Sequence, residues 1–227
     1  MSAGPAGPGD GAAGPGDGAP GARPSERARF PGLDATAQAP HWDAATTGVV
    51  LSRTGMPPDI RFFTPAQEAI ATALCDQLLG QADEPLVPLA AMIDARLAEQ
   101  QTDGWHYADL PEDGQAWRDT LGHLDQDARG KFGRGLAECP AAEQQAIIQA
   151  VQDLGSGDWH GLSASRVWSL WTRYACTAFY SHPAAWDEIG FPGPAYPRGY
   201  KNAGVGKREP FEVADVSPGA DPVRGAS

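Results

Sequence analysis

Residues 163–182 read Ser-Ala-Ser-Arg-Val-Trp-Ser-Leu-Trp-Thr-Arg-Tyr-Ala-Cys-Thr-Ala-Phe-Tyr-Ser-His. Ser163 is placed to cap a helix, and Val167, Leu170, Trp171, Tyr174, Ala175, Ala178 and Phe179 then recur at helical spacing as a broad apolar face. Tryptophans, a tyrosine and small residues lie almost all round this segment, which is the pattern of a helix enclosed by neighbours. It is therefore expected to be the central helix of an all-α bundle.

The neighbours are found N-terminal to it. Thr64-Pro65 opens a helix over about 65–79, with a capping threonine, a proline suited to the first helical position and Gln67 three residues on. Ile70, Leu74, Cys75, Leu78 and Leu79 form its apolar stripe, and Gly80 is a plausible stop. A second helix, over about 86–101, puts Leu89, Met92, Ile93 and Leu97 on one face and Asp94, Arg96 and Glu99 opposite. Trp117, Leu121 and Leu124 carry a third, weakened by Gly122 and Gly130. A fourth, over about 140–154, opens at Pro140 and turns Ile147, Ile148, Val151 and Leu154 to one side. No stretch shows sustained strand alternation bounded by hairpin turns. The expected fold is an irregular orthogonal bundle of five to six helices.

On the C-terminal side, residues 178–200 hold Phe179, Tyr180, Trp186, Phe191, Tyr196 and Tyr200 beside four prolines and three glycines. Proline fixes φ, lacks a donor and biases its predecessor to extended geometry, so this stretch reads as an ordered ribbon of rings that must cover something. Residues 1–40, rich in Gly, Pro, Ala and Asp with a near-repeat of Gly-Pro-Gly-Asp-Gly, have little to bury and read as a disordered arm. Residues 41–63 read as an ordered arm lying on the domain, and residues 201–227 as an extended or mobile tail. The domain itself is taken as 41–200.

Composition narrows the function classes. A formal net charge of −12 over 227 residues disfavours nucleic acid and anionic membrane surfaces as partners. Cys75, Cys139 and Cys176 are far apart without Cys-x-x-Cys spacing; Cys75 and Cys176 fall among apolar helical positions and read as small buried hydrophobes. His41, His106, His123, His160 and His182 show no metal-ligand spacing. His182 ends the central helix beside Pro183, where an imidazolium would suit the helix C-terminal dipole, and it reads as a helix-terminal or internally hydrogen-bonded histidine. There is no Gly-x-Ser-x-Gly, and Gly155-Ser156-Gly157-Asp158 lacks the lysine of a phosphate-binding loop. Glu112-Asp113 and Asp187-Glu188 are adjacent carboxylates that diverge and read as solvated. No self-sufficient catalytic set emerges. No span of about 18 apolar residues and no basic-then-apolar leader is present, so a cytoplasmic location is expected.

Thr64-Pro65 with Leu74, Leu78 and Leu79, then Phe179-Tyr180-Ser181-His182-Pro183, Trp186-Asp187-Glu188-Ile189-Gly190-Phe191-Pro192-Gly193-Pro194 and Tyr196-Pro197-Arg198-Gly199-Tyr200, resemble the gluconate 2-dehydrogenase subunit 3 family over roughly residues 60–200. The Ile-Gly-Phe-Pro-Gly-Pro segment is the most specific part. The resemblance implies a small helical accessory subunit without a cofactor of its own. FAD and the catalytic histidines would belong to a large partner subunit of glucose-methanol-choline (GMC) type that oxidises sugars, sugar acids or glycosides. It implies partner contacts at Trp186, Phe191, Pro192, Tyr196, Arg198 and Tyr200. Many members of the family carry a twin-arginine export signal; here a Gly-Pro-Asp-rich arm stands in that place, which points to a cytoplasmic complex. The alternative is a helical adaptor or scaffold unrelated to flavin chemistry, using the same ribbon.

Overall fold

The computed structural model describes residues 34–194. In chain order these form a 3₁₀ segment Ala35–His41, α1 Ala44–Ser52, α2 Pro65–Leu78, α3 Leu89–Ala98, α4 Asp113–Phe132, a short 3₁₀ turn Leu136–Glu138 and α5 Ala141–Asp153. The two-residue strands β1 Asp158–Trp159 and β2 Leu162–Ser163 follow, then α6 Ala164–Ser181 and α7 Pro183–Ile189. The all-α bundle expected from the sequence is what these residues build.

Local chemistry explains most boundaries. At the start of α2 the Thr64 hydroxyl accepts from the Gln67 amide N–H at 3.3 Å, and the Thr64 amide donates to Gln67 Oε1 at 3.0 Å, a complete capping box. α4 runs through both Gly122 and Gly130 because Trp117, Thr120, Leu121, Leu124 and Ala128 are all buried, and that burial outweighs the propensity cost of about 1 kcal/mol per glycine. Ser163 does not cap α6. Its hydroxyl meets Ser165 Oγ at 3.2 Å, and the helix is entered from the small hairpin, where the Ala164 amide donates to the Gly157 carbonyl at 2.9 Å. The hairpin turns on His160 and Gly161, both at positive φ as a two-residue hairpin turn requires. Strands of two residues leave no alternation for a sequence reading to find.

α6 is the helix around which the others gather. Trp171 and Tyr174 are fully enclosed, with Trp117, Leu74, Leu121 and Leu124 among the largest buried side chains beside them. The Trp171 indole N–H donates to Thr120 Oγ1 at 3.0 Å, and its ring meets Trp159 edge-on at 5.5 Å. Cys75 is buried as expected, whereas Cys176 is only partly covered.

Two expectations are corrected and one is made more specific. Residues 34–40, placed in the disordered arm, are structured: Asp34 caps the 3₁₀ segment Ala35–His41 by accepting from the Thr36 amide at 2.9 Å, and Ala35 and Trp42 are buried. Residues 1–33, the rest of that arm, and the tail at 201–227 lie outside the described residues. Within 41–63, a helix (α1) is started by Asp43, which accepts from the Thr46 amide at 2.9 Å; its β-branched run gave no helical signal. The ribbon assigned to 178–200 is helical over much of its described length. Residues 178–181 complete α6, and Pro183 then breaks that helix and starts the next, since its preset φ and missing N–H suit a first helical position. Only His182, between the two helices, and 190–194 of the described part are non-helical.

Candidate docking surface

The α6–α7 junction and the N-terminal segment build one compact unit. Ala35, Trp42, Val50 and Trp186 form a small hydrophobic cluster separate from the main core. The Trp186 indole N–H donates to the Tyr180 carbonyl at 2.7 Å, and its ring packs edge-on against Phe191 at 5.4 Å. The Phe191 amide donates to the Trp186 carbonyl at 2.9 Å, closing α7. From the other side, the Ala35 amide donates to Asp187 Oδ1 at 2.7 Å and the Arg53 guanidinium to the Ser181 carbonyl at 2.7 Å. Gly193, at φ +97°, passes so near Trp42 that a Cβ there would stand 2.8 Å from the indole Cζ2.

Of the residues expected to meet a partner, Trp186 is buried and spent on this internal cluster, Pro192 is partly covered, and Phe191 is 40% exposed. Tyr196, Arg198 and Tyr200 lie outside the described residues. Tyr180, one of the rings of the expected ribbon, is half exposed, and so are Ile189 and Val49 on α1, while Met56 is 93% exposed; none of these four is among the expected partner contacts. A groove of about 360 Å³ lined by Arg53, Pro57, Leu86, Pro88 and His182 lies beside this junction.

Asp187 is partly buried, where the sequence reading has it solvated. Burial pushes its carboxyl above the usual range, against the Ala35 hydrogen bond that lowers it. His182 is the N-cap of α7, its Nδ1 accepting from the Ala184 amide at 3.2 Å, so the ring serves the following helix as a neutral acceptor. Burial, and then the Arg53 charge, hold its pKa below the ordinary 6.5. The unfolded chain takes up a proton at about pH 6.5 that the folded site resists, so stability falls as pH drops from about 7 towards 5.5. His123, pushed down by burial and by His160, adds to the same slope. His182→Asn keeps a capping acceptor without the titration and is expected to flatten this slope in urea titrations at several pH values; an unchanged slope would rule out His182 as its source.

Elsewhere the polar groups serve the fold. Asp113 is 5% exposed, contrary to the solvated reading of Glu112-Asp113. Its Oδ2 accepts from the Tyr174 hydroxyl at 2.7 Å and from Arg173 Nη2 at 2.9 Å, while Asp103 joins Arg173 to Arg96. Burial, with Asp113 second, keeps the Tyr174 phenol protonated well beyond its ordinary range. A cleft of about 510 Å³ lined by Phe62, Arg96, Gln101, Glu112, Arg118 and Tyr174 opens beside this network. His123 and His160 stack at 4.4 Å, and Asp127 accepts from Trp159 Nε1 at 2.9 Å and sits 2.8 Å from His160 Nε2. Among the described residues no group of three or more His, Cys, Asp or Glu is placed to hold a metal ion. Burial pushes the Cys75 thiol far above its ordinary range, away from a nucleophilic thiolate.

The described residues form a small all-α fold whose buried polar groups hold its own elements together. Residues 65–193, over half of the chain, match the family model described as gluconate 2-dehydrogenase subunit 3, and the chain belongs to that family. The family is that of a small subunit of a dehydrogenase complex, which implies a hetero-oligomer. No curated protein and no solved structure matched. No helix among the described residues is long and apolar enough to cross a membrane.

Proposed function

We propose that this chain is a non-catalytic small subunit that binds, and stabilises or matures, an FAD-dependent GMC-type oxidoreductase acting on sugars or glycosides. Docking is through the end of the molecule that carries Phe191 and Pro192 and continues, beyond the described residues, to Tyr196, Arg198 and Tyr200. The observation that carries this reading is where the exposed apolar surface lies. Of the nine exposed large apolar side chains among the described residues, six (Val49, Leu51, Met56, Tyr180, Ile189 and Phe191) belong to α1 and the segment after it, the last turn of α6, or α7 and its exit, while Leu86, Trp105 and Leu154 lie on other segments. Apolar side chains exposed together mark a contact surface, whereas scattered ones need no explanation. FAD and the groups that react with the sugar would be supplied by the partner.

Phe191, partly exposed, is braced edge-on by a buried Trp186, the arrangement of an anchor with a rigid base. The reading is tested by co-expressing the full chain with a GMC-type flavoprotein from the same genome and measuring capture. The double variant Phe191→Ala and Tyr196→Ala is expected to reduce captured flavin absorbance at least about tenfold, with the thermal unfolding of the small subunit moved by less than about 2 °C. Full capture by the double variant would remove this surface as the contact.

A further inference from the structure

The family match begins at residue 65, yet residues 34–53 pack onto its far end, more than 120 positions later. We propose that this N-terminal segment is a clasp that positions the docking residues, an inference that rests on the docking function above and extends it to residues outside the family match.

Four independent contacts define the clasp. The Ala35 amide donates to Asp187 at 2.7 Å, which ties the 3₁₀ segment to the middle of α7. Arg53 donates to the Ser181 carbonyl at 2.7 Å, one of the carbonyls that α6 leaves open at its end. Trp42 and Val50 cover Trp186, the base on which Phe191 stands. The indole of Trp42 also lies against the backbone of Gly193, where a side chain has no room.

α7 has seven residues and is far too short to persist alone in water. Its order comes from burying Trp186, and the clasp supplies much of what buries it. Without the clasp, Trp186 and Phe191 become a mobile apolar end, and a partner must order them on binding. That ordering cost is what the clasp removes beforehand. Trp42 is thus a positioning residue: it need not touch the partner to strengthen docking.

The test is hydrogen exchange followed by mass spectrometry on the full chain, with Trp42→Ala, the conservative Trp42→Phe and Gly193→Ala. Trp42→Ala is expected to speed amide exchange over 183–194 at least about tenfold, with α4 and α6 unchanged and the main thermal transition within about 2 °C. Trp42→Phe should restore most of the protection. Gly193→Ala, which leaves the clasp sequence intact, should speed exchange at 190–194 by itself. Affinity for the flavoprotein should fall about tenfold in Trp42→Ala and recover in Trp42→Phe. Exchange over 183–194 within about twofold of the wild type in Trp42→Ala would overturn the clasp, whatever capture shows. Loosened exchange with undiminished affinity would overturn its role in docking, leave the clasp contacts standing, and count against the docking surface itself.

Discussion

Asp94→Ala is expected to lower the unfolding free energy by about 3 kcal/mol, one of the two largest single-residue effects anticipated for this chain. Asp94 lies on α3 with no solvent exposure at all. Its carboxylate accepts from three consecutive backbone amides: Arg61 at 2.7 Å, Phe62 at 2.9 Å and Phe63 at 2.7 Å. No neighbouring strand or helix satisfies these amides, since the segment runs irregularly into the Thr64 cap of α2. The same segment buries Phe63 against Trp117, whose ring centroids lie 6.2 Å apart. Removing the carboxylate leaves up to three donors without an acceptor, each costing about 1 kcal/mol or more where water cannot reach it. It also removes a negative charge within a turn of the α2 N-terminus. Asp94→Asn keeps one acceptor oxygen and turns an amide NH₂ towards the remaining N–H groups, so about 2 kcal/mol is expected. Urea unfolding measures both, and a loss below about 1 kcal/mol for the alanine variant would mean that the segment finds other acceptors.

Asp94 also shows where sequence reading stopped. Its register placed it opposite Leu89, Ile93 and Leu97, and a charge opposite an apolar stripe reads as solvated. What encloses it is the irregular segment 61–63, whose path no periodicity announces. Asp113 escaped for a similar reason: neighbouring carboxylates at a helix start look alike in sequence, and only the approach of α6 distinguishes the buried Asp113 from the exposed Glu112. Helices α2, α3, α5 and α6, by contrast, are legible to within a few residues, because each carries a stripe of Leu, Ile, Val or Trp at helical spacing, whereas α4 shows its stripe but not its end, which Gly122 and Gly130 obscure. α7 was obscured by the prolines around it; Pro183 at a first helical position starts a helix, and the residues of 183–189 were read instead as part of an extended run. The ring of Phe191 was found from composition, but the burial of Trp186 depends on a clasp 130 or more residues away, and no local pattern encodes that partnership.

The second large effect concerns the contact that joins α4 to α6. Asp113→Ala is expected to cost about 3 kcal/mol, at the lower end for a broken buried ion pair, because Arg173 keeps Asp103 as a partner. The Tyr174 hydroxyl has no such reserve: Asp113 is its acceptor at 2.7 Å, and the phenol is enclosed by the main core. Tyr174→Phe should therefore cost about 1.5 kcal/mol, leaving Asp113 held by Arg173 alone. If the hydroxyl and carboxylate act as one unit, the double variant costs less than the sum, with a coupling of about 1.5 kcal/mol, within the range that contacting residues show. Additivity within about 0.3 kcal/mol would instead mean that Arg173 carries the interaction. Salt separates the two cases further. Both Asp113 and Arg173 are largely covered, so 1 M sodium chloride should leave the coupling nearly intact, whereas it should erase the contribution of an exposed pair such as Arg61 with Glu99. A coupling that collapses in salt would place water around Asp113 and reduce its role to that of an ordinary surface carboxylate.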